Sequence, residues 1–212
     1  MNRLLDAGLE RLTAILLQMG KVAEEAVRLS IECFMVGVDA CQRVQQLSDI
    51  LVEMNVDVED IAFELIAKYQ PVASDLRIIK SYIKISNDLE RYGRYAWDIS
   101  FVHKRLAHFE KCKDPLAIIE EMSEKVIGMV HASIEALKTH NSELAKSLVE
   151  VENEVDALYF RHLDHSTEVS ISTKCLITNT LVVRYLERIA DHATYIGESI
   201  VYIATGEKVA FR

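Results

Sequence analysis

An all-α fold of two tandem three-helix bundles, related by an internal repeat, is what the sequence predicts, and three observations predict it. Apolar residues recur at three- and four-residue steps along nearly the whole chain, which is the period of a helix. Only 7 Gly and 2 Pro occur in 212 residues, and these are the main breakers of regular structure, so the helices should be long. Finally, the two halves repeat. Leu89-Glu90-Arg91 returns as Leu186-Glu187-Arg188, and Ala96 and Ile99 match Ala193 and Ile196 at the same offset.

Six helices follow from punctuation and periodicity. The first is expected from about Asn2 to Met35, ending near Gly37, and the second from about Asp39 to Tyr69. Gln70-Pro71 stops the second, because a residue before proline avoids the helical region. The third is expected to start at Pro71, a favoured first-turn residue, and to reach about His108. Lys111-Cys112-Lys113-Asp114-Pro115 is the clearest break, with Asp114 a cap and Pro115 just inside the fourth helix, which runs to about Thr139. Asn141 or Ser142 opens the fifth, to about Thr167. The sixth runs from Ser170–Ser172 to Thr205-Gly206, where glycine is a natural stop. Residues 1–110 and 114–207 are therefore expected to form the two repeats. Ile85, Leu89, Tyr92, Ala96 and Ile99 step by four and three, as do Val182, Leu186, Ile189, Ala193 and Ile196, the pattern of a bundle seam. Tyr92, Tyr95, Trp97 and Phe101 are expected to pack between halves or subunits.

Composition narrows the function. With 50% hydrophobic residues the chain can build a real core. A formal net charge of −9 repels phosphate backbones, so neither nucleic acid nor an anionic membrane is an expected partner. No run of apolar residues is long enough to span a bilayer, so no direct membrane insertion is expected. Cys33, Cys41, Cys112 and Cys175 form no C-x-x-C pair and no signal peptide is visible, which points to reduced thiols in a cytoplasmic protein.

Chemistry is carried by acids. Glu187 and Asp191 lie one turn apart on the sixth helix, and Glu152 and Asp156 one turn apart on the fifth. The first pair falls on a stripe with Arg184 and Glu198, opposite the Val182–Ile203 seam, and is expected at the surface; the second is expected on the flank of its helix. Four carboxylate groups suit a hard cation. The same spacing describes a solvated acidic face with salt bridges to Arg184, Arg188 or Arg161. His162 and His165 could form a stray transition-metal site, or be ordinary histidines near a helix end. A ferritin-type oxidase would need Glu-x-x-His, and no histidine here has a Glu three residues before it. No phosphate loop, nucleophile elbow or Cys/His dyad is visible.

Several runs together resemble one family. Gln70-Pro71-Val72-Ala73-Ser74-Asp75-Leu76-Arg77 is similar to the Q-P-V-A-x-D-L-R signature of PhoU proteins, and Lys84-Ile85-Ser86-Asn87-Asp88-Leu89-Glu90-Arg91-Tyr92-Gly93 to their K-I-x-N-D-L-E-R-I-G run. Leu186-Glu187-Arg188-Ile189-Ala190-Asp191-His192-Ala193-Thr194 and the closing Tyr202-Ile203-Ala204-Thr205-Gly206-Glu207 match the family's second-half patterns. The resemblance covers essentially the whole chain.

It implies a cytoplasmic, non-enzymatic regulator of phosphate uptake, commonly a homodimer. The expected partners are the ATPase subunit of a phosphate ABC transporter, a membrane sensor histidine kinase, or both. It also implies binding of iron or another hard divalent or trivalent cation through E/D-x-x-x-D motifs, which Glu152 with Asp156 and Glu187 with Asp191 match. The first half departs from that pattern, with Arg94 in place of the second acid on helix three and Ile50 and Met54 at the helix-two positions. Asp57, Glu90 and Asp98 remain there as weaker candidates beside a competing guanidinium. Two rival readings are a metal-buffering helical protein and a helical adapter for another transporter.

Overall fold

The computed structural model describes residues 3–107, 116–168 and 170–211. They form α1 (Arg3–Val36), α2 (Cys41–Tyr69), α3 (Ala73–Val102), α4 (Leu116–Thr139), α5 (Ser142–Glu168) and α6 (Thr173–Thr205), with one π-helical turn at His103–Ala107. Among the described residues there is no strand. The tandem all-helical reading of the sequence holds.

Helix ends follow local chemistry. Gly37 and Gly206 both take left-handed backbone, and their N–H groups bond back to the Cys33 and Tyr202 carbonyls at 3.1 and 3.0 Å. The Asn141 side chain accepts from the Glu143 and Leu144 N–H groups, each at 3.0 Å, and so caps α5. Ser172 caps α6 by accepting from Cys175 N–H at 3.2 Å. The start of α3 differs from expectation. Pro71 stays outside the helix, because Val72 after it is extended (φ −125°, ψ 163°) and α3 opens only at Ala73. Asp114, Pro115 and Cys112 lie outside the described residues.

α1, α2 and α3 pack as one bundle and α4, α5 and α6 as the other, but α3 packs on α6 as extensively as it does on α1. α1 also meets α4. The result is one continuous hydrophobic core, from Leu5 to Ile203. The predicted seams lie in it: Ile85, Leu89, Tyr92, Ala96 and Ile99 are fully buried, as are Leu186, Ile189 and Ala193. Each such large side chain stabilises the fold by about 1.5–3 kcal/mol on burial. Gly93 permits the close approach of α2, since a Cβ there would collide with Leu51 Cδ1 and lie 3.3 Å from Ser48 Cα.

Cys33 and Cys41 are free and buried, whereas Cys175 is disulfide-bonded. That departs from the expectation of reduced thiols throughout, which rested on motif and compartment and not on proximity. No helix among the described residues is long and apolar enough to cross a membrane.

Candidate functional site

α6 is the central element, with α3, α4 and α5 all packed against it. This overturns one expectation. Glu187 and Asp191 are not at the surface: they are 6% and 0% exposed. On the stripe opposite the Val182–Ile203 seam Arg184 reaches water and Glu198 is half-buried, but the Glu187 and Asp191 carboxylates between them are covered by the helices packed on α6. Glu152 on α5 is likewise buried, and Asp156 is partly so.

A buried carboxylate is costly unless a cation neutralises it. Here arginines from the preceding turn do so. Arg184 donates to Glu187 at 2.7 Å, and Arg188 to Asp191 at 3.1 Å. Both arginines are themselves positioned by rings. The Arg184 guanidinium lies 5.7 Å from the centre of the Tyr159 ring on α5, and that of Arg188 lies 5.9 Å from Tyr95 on α3. Arg188 also donates to the Tyr95 hydroxyl at 3.4 Å, which holds its guanidinium above its usual pKa. The salt-bridge alternative for the α6 acids is thus the arrangement seen, with the carboxylates buried and the arginines partly exposed. Arg161 pairs elsewhere, with Glu121 at 2.7 Å.

Glu152, Asp156, Glu187 and Asp191 fall on two helices that pack together. Their oxygens suit a hard cation chemically. Among the described residues, however, no group of three or more His, Cys, Asp or Glu side chains is arranged to hold a metal ion. A cation at Glu187 and Asp191 would take the place of the two guanidinium groups. The first-half candidates stand further apart in role: Asp57 is exposed on α2, Glu90 lies 3.7 Å from the Arg91 guanidinium, and burial raises Asp98 while Arg94 opposes the rise. His162 is fully buried, within 3.1 Å of the Thr180 hydroxyl and 3.3 Å of that of Ser166. Burial pushes its imidazole below the ordinary range, which marks a neutral core histidine.

Between α3 and α6 runs a second polar seam that the spacing rules missed. Asp88 and His192 meet at 2.8 Å, and both side chains are about nine-tenths buried. Burial raises the Asp88 carboxyl, and the bond to His192 holds it back. The His192 ring sits between Tyr95 and Tyr195, with ring centres 5.7 and 5.3 Å away. One turn on, Lys84 reaches Glu198 at 3.3 Å. Tyr92 extends the link to α4, bonding Ser133 at 3.1 Å. Asp88 and His192 lie in different halves, so no local spacing joins them; only their place on the two repeated seam helices could have drawn attention to them.

Fold and site together define a tandem three-helix-bundle protein whose buried Glu187 and Asp191 are paired with arginines and whose Asp88–His192 contact joins its halves. The PhoU domain model matches residues 16–101 and 119–200, one match in each half. The chain belongs to the PhoU family. A Clostridium acetobutylicum relative, named phosphate-specific transport system accessory protein PhoU homolog, is 33% identical over 98% of this chain and 97% of its own. A Methanothermobacter thermautotrophicus relative of the same name, homolog 1, is 33% identical over 79% of this chain and 78% of its own. The crystal structure of PhoU from Pseudomonas aeruginosa superimposes with a TM-score of 0.89 at 26% identity, covering 95% of this chain and 99% of that one.

Proposed function

We propose that this chain is a cytoplasmic regulator of phosphate uptake that works by protein contact and catalyses no reaction. Its partner is the ATPase subunit of a phosphate transporter, a membrane sensor kinase, or both, and it acts as a homodimer. The observation that carries this reading is the full-length kinship to proteins named accessory to phosphate-specific transport. The structure suits contact better than chemistry: the polar side chains of the α6 centre are committed to ion pairs, while α2 presents Val52, Val56 and Phe63 at 45%, 52% and 61% exposure along one face. Deleting the gene tests it. Phosphate uptake and the transcriptional response to phosphate should both change; if neither does, the regulator reading fails.

A second reading, metal binding, is favoured by the burial of Glu152, Glu187 and Asp191 in one half. In it, iron or another hard cation replaces Arg184 and Arg188 at the α6 pair, with Glu152 and Asp156 completing the donors. Elemental analysis of the purified protein should find metal that a Glu187→Ala/Asp191→Ala variant lacks. Equal metal content in both would remove the site.

A further inference from the structure

Where the C-terminal segment folds back, the structure encloses a cleft that plays no part in the ion-pair centre. It is about 200 Å³ in volume and is lined by Lys80, Ser81 and Lys84 of α3, Glu198, Ser199 and Tyr202 of α6, and Lys208 and Val209 of the tail. After the left-handed Gly206, the tail returns along α6: the Phe211 N–H donates to Glu198 at 3.1 Å, while Val209 and Phe211 pack on the core. This closure carries Lys208 to the same opening as Lys80.

The lining holds three ammonium groups and one carboxylate, in a chain whose net charge is −9. Lys84 and Glu198 neutralise one another. Lys80 and Lys208 have no ion-pair partner among the described residues. Ser199 gives its proton to the Tyr195 carbonyl, but Ser81, only 3% exposed, lines the cleft and makes no hydrogen bond to the protein among those residues. Beside the cleft, the Arg77 guanidinium stands 5.8 Å over the Tyr202 ring, and its Nε is buried without a partner. Two unneutralised lysines and a serine hydroxyl without a protein partner share the lining of one small cleft, a donor set that suits a doubly charged tetrahedral oxyanion. A planar carboxylate presents two oxygens in one plane; a phosphate group presents three or more in different directions, enough to meet donors on both helix and tail.

We propose that this cleft binds a phosphate-class oxyanion, held by Lys80 and Lys208 and hydrogen-bonded by Ser81. The inference stands independently of partner contact and of metal. The shared chemistry is a phosphate group, and its source is either the free anion or a small phosphate monoester.

Calorimetric titration at low ionic strength, with inorganic phosphate and separately with glycerol phosphate, tests it. At least one should bind saturably, and added salt should weaken the binding. The Lys80→Ala/Lys208→Ala variant should bind at least about tenfold more weakly, Ser81→Ala less severely so, and Lys104→Ala, away from the cleft, as the parent does. Circular dichroism keeps the comparison honest, since both cleft lysines lie at the surface and their removal should leave helicity unchanged. Binding of phosphate in preference to the ester identifies the free anion as the ligand, and tighter binding of the ester identifies a phosphate monoester. The proposal is overturned if neither probe binds, if the lysine variant binds like the parent, or if Lys104→Ala weakens binding as much.

Discussion

Removing the Tyr92 hydroxyl should destabilise the protein less than removing that of Ser133, although each change deletes the same hydrogen bond. Tyr92 is fully buried on α3 and Ser133 fully buried on α4, with their oxygens 3.1 Å apart. Ser133 already donates to the Val130 carbonyl at 2.8 Å. Its single proton is therefore used, and Tyr92 must be the donor across the seam. Tyr92→Phe then leaves only a spare lone pair on Ser133, at a cost of about 1 kcal/mol for the lost bond. Ser133→Ala strands a buried phenol O–H with no acceptor, which costs about 1–3 kcal/mol. The double variant removes donor and acceptor together, so it should be no worse than Ser133→Ala alone. In a chain of this length each kcal/mol moves Tm by roughly 2–4 °C, so thermal unfolding followed by circular dichroism separates the variants. Because both halves share one core, each variant should unfold in a single transition. Tyr92→Phe proving the more damaging would mean that Ser133 is the donor, and two transitions of which only one moves would mean that the halves do not share one core.

Further outcomes follow from the same packing. Gly93→Ala should cost about 1–3 kcal/mol through the forced displacement of Leu51, and Leu51→Ala in the same chain should recover part of it. His162 is held neutral by burial, so its contribution to stability is present above the ordinary histidine pKa of about 6.5 and is lost as pH falls through that value toward the lower folded one. Urea unfolding between neutral and mildly acidic pH should therefore show a slope, at most about 1.4 kcal/mol per pH unit, that His162→Gln flattens. Arg188→Ala should destabilise by about 1–3 kcal/mol, because it takes one charged partner from the fully buried Asp191 carboxylate; Asp191→Asn in the same chain should restore part of the loss.

How much of this was legible in the sequence depended on range. The 3.6-residue period and the caps act within a few residues, so Asn141, Ser172, Gly37 and Gly206 mark their helix ends as the sequence suggests. Pro71 misled by two residues because its own geometry suits a first turn, while Val72 after it is drawn into an extended link. The placement of Glu187 and Asp191 failed for a different reason. A helical wheel locates a stripe relative to its own seam, but it says nothing about how many neighbours a helix has. With α3, α4 and α5 all against α6, the part of the stripe that holds Glu187 and Asp191 is covered, while Arg184 still reaches water. Asp88 with His192, and Tyr92 with Ser133, were invisible because each pair joins residues from different halves. The oxyanion cleft was equally hidden, since Lys208 reaches Lys80 only once the tail has turned back at Gly206.

In the proposed role, this PhoU-family chain regulates phosphate uptake by binding the transport machinery. The most direct measurement is affinity capture of the tagged, full-length chain from its own cells, grown with phosphate scarce and abundant, followed by mass spectrometry. The ATPase subunit of a phosphate transporter, or a membrane sensor kinase, should be recovered in amounts that change with phosphate. Recovery of neither under both conditions would contradict that role.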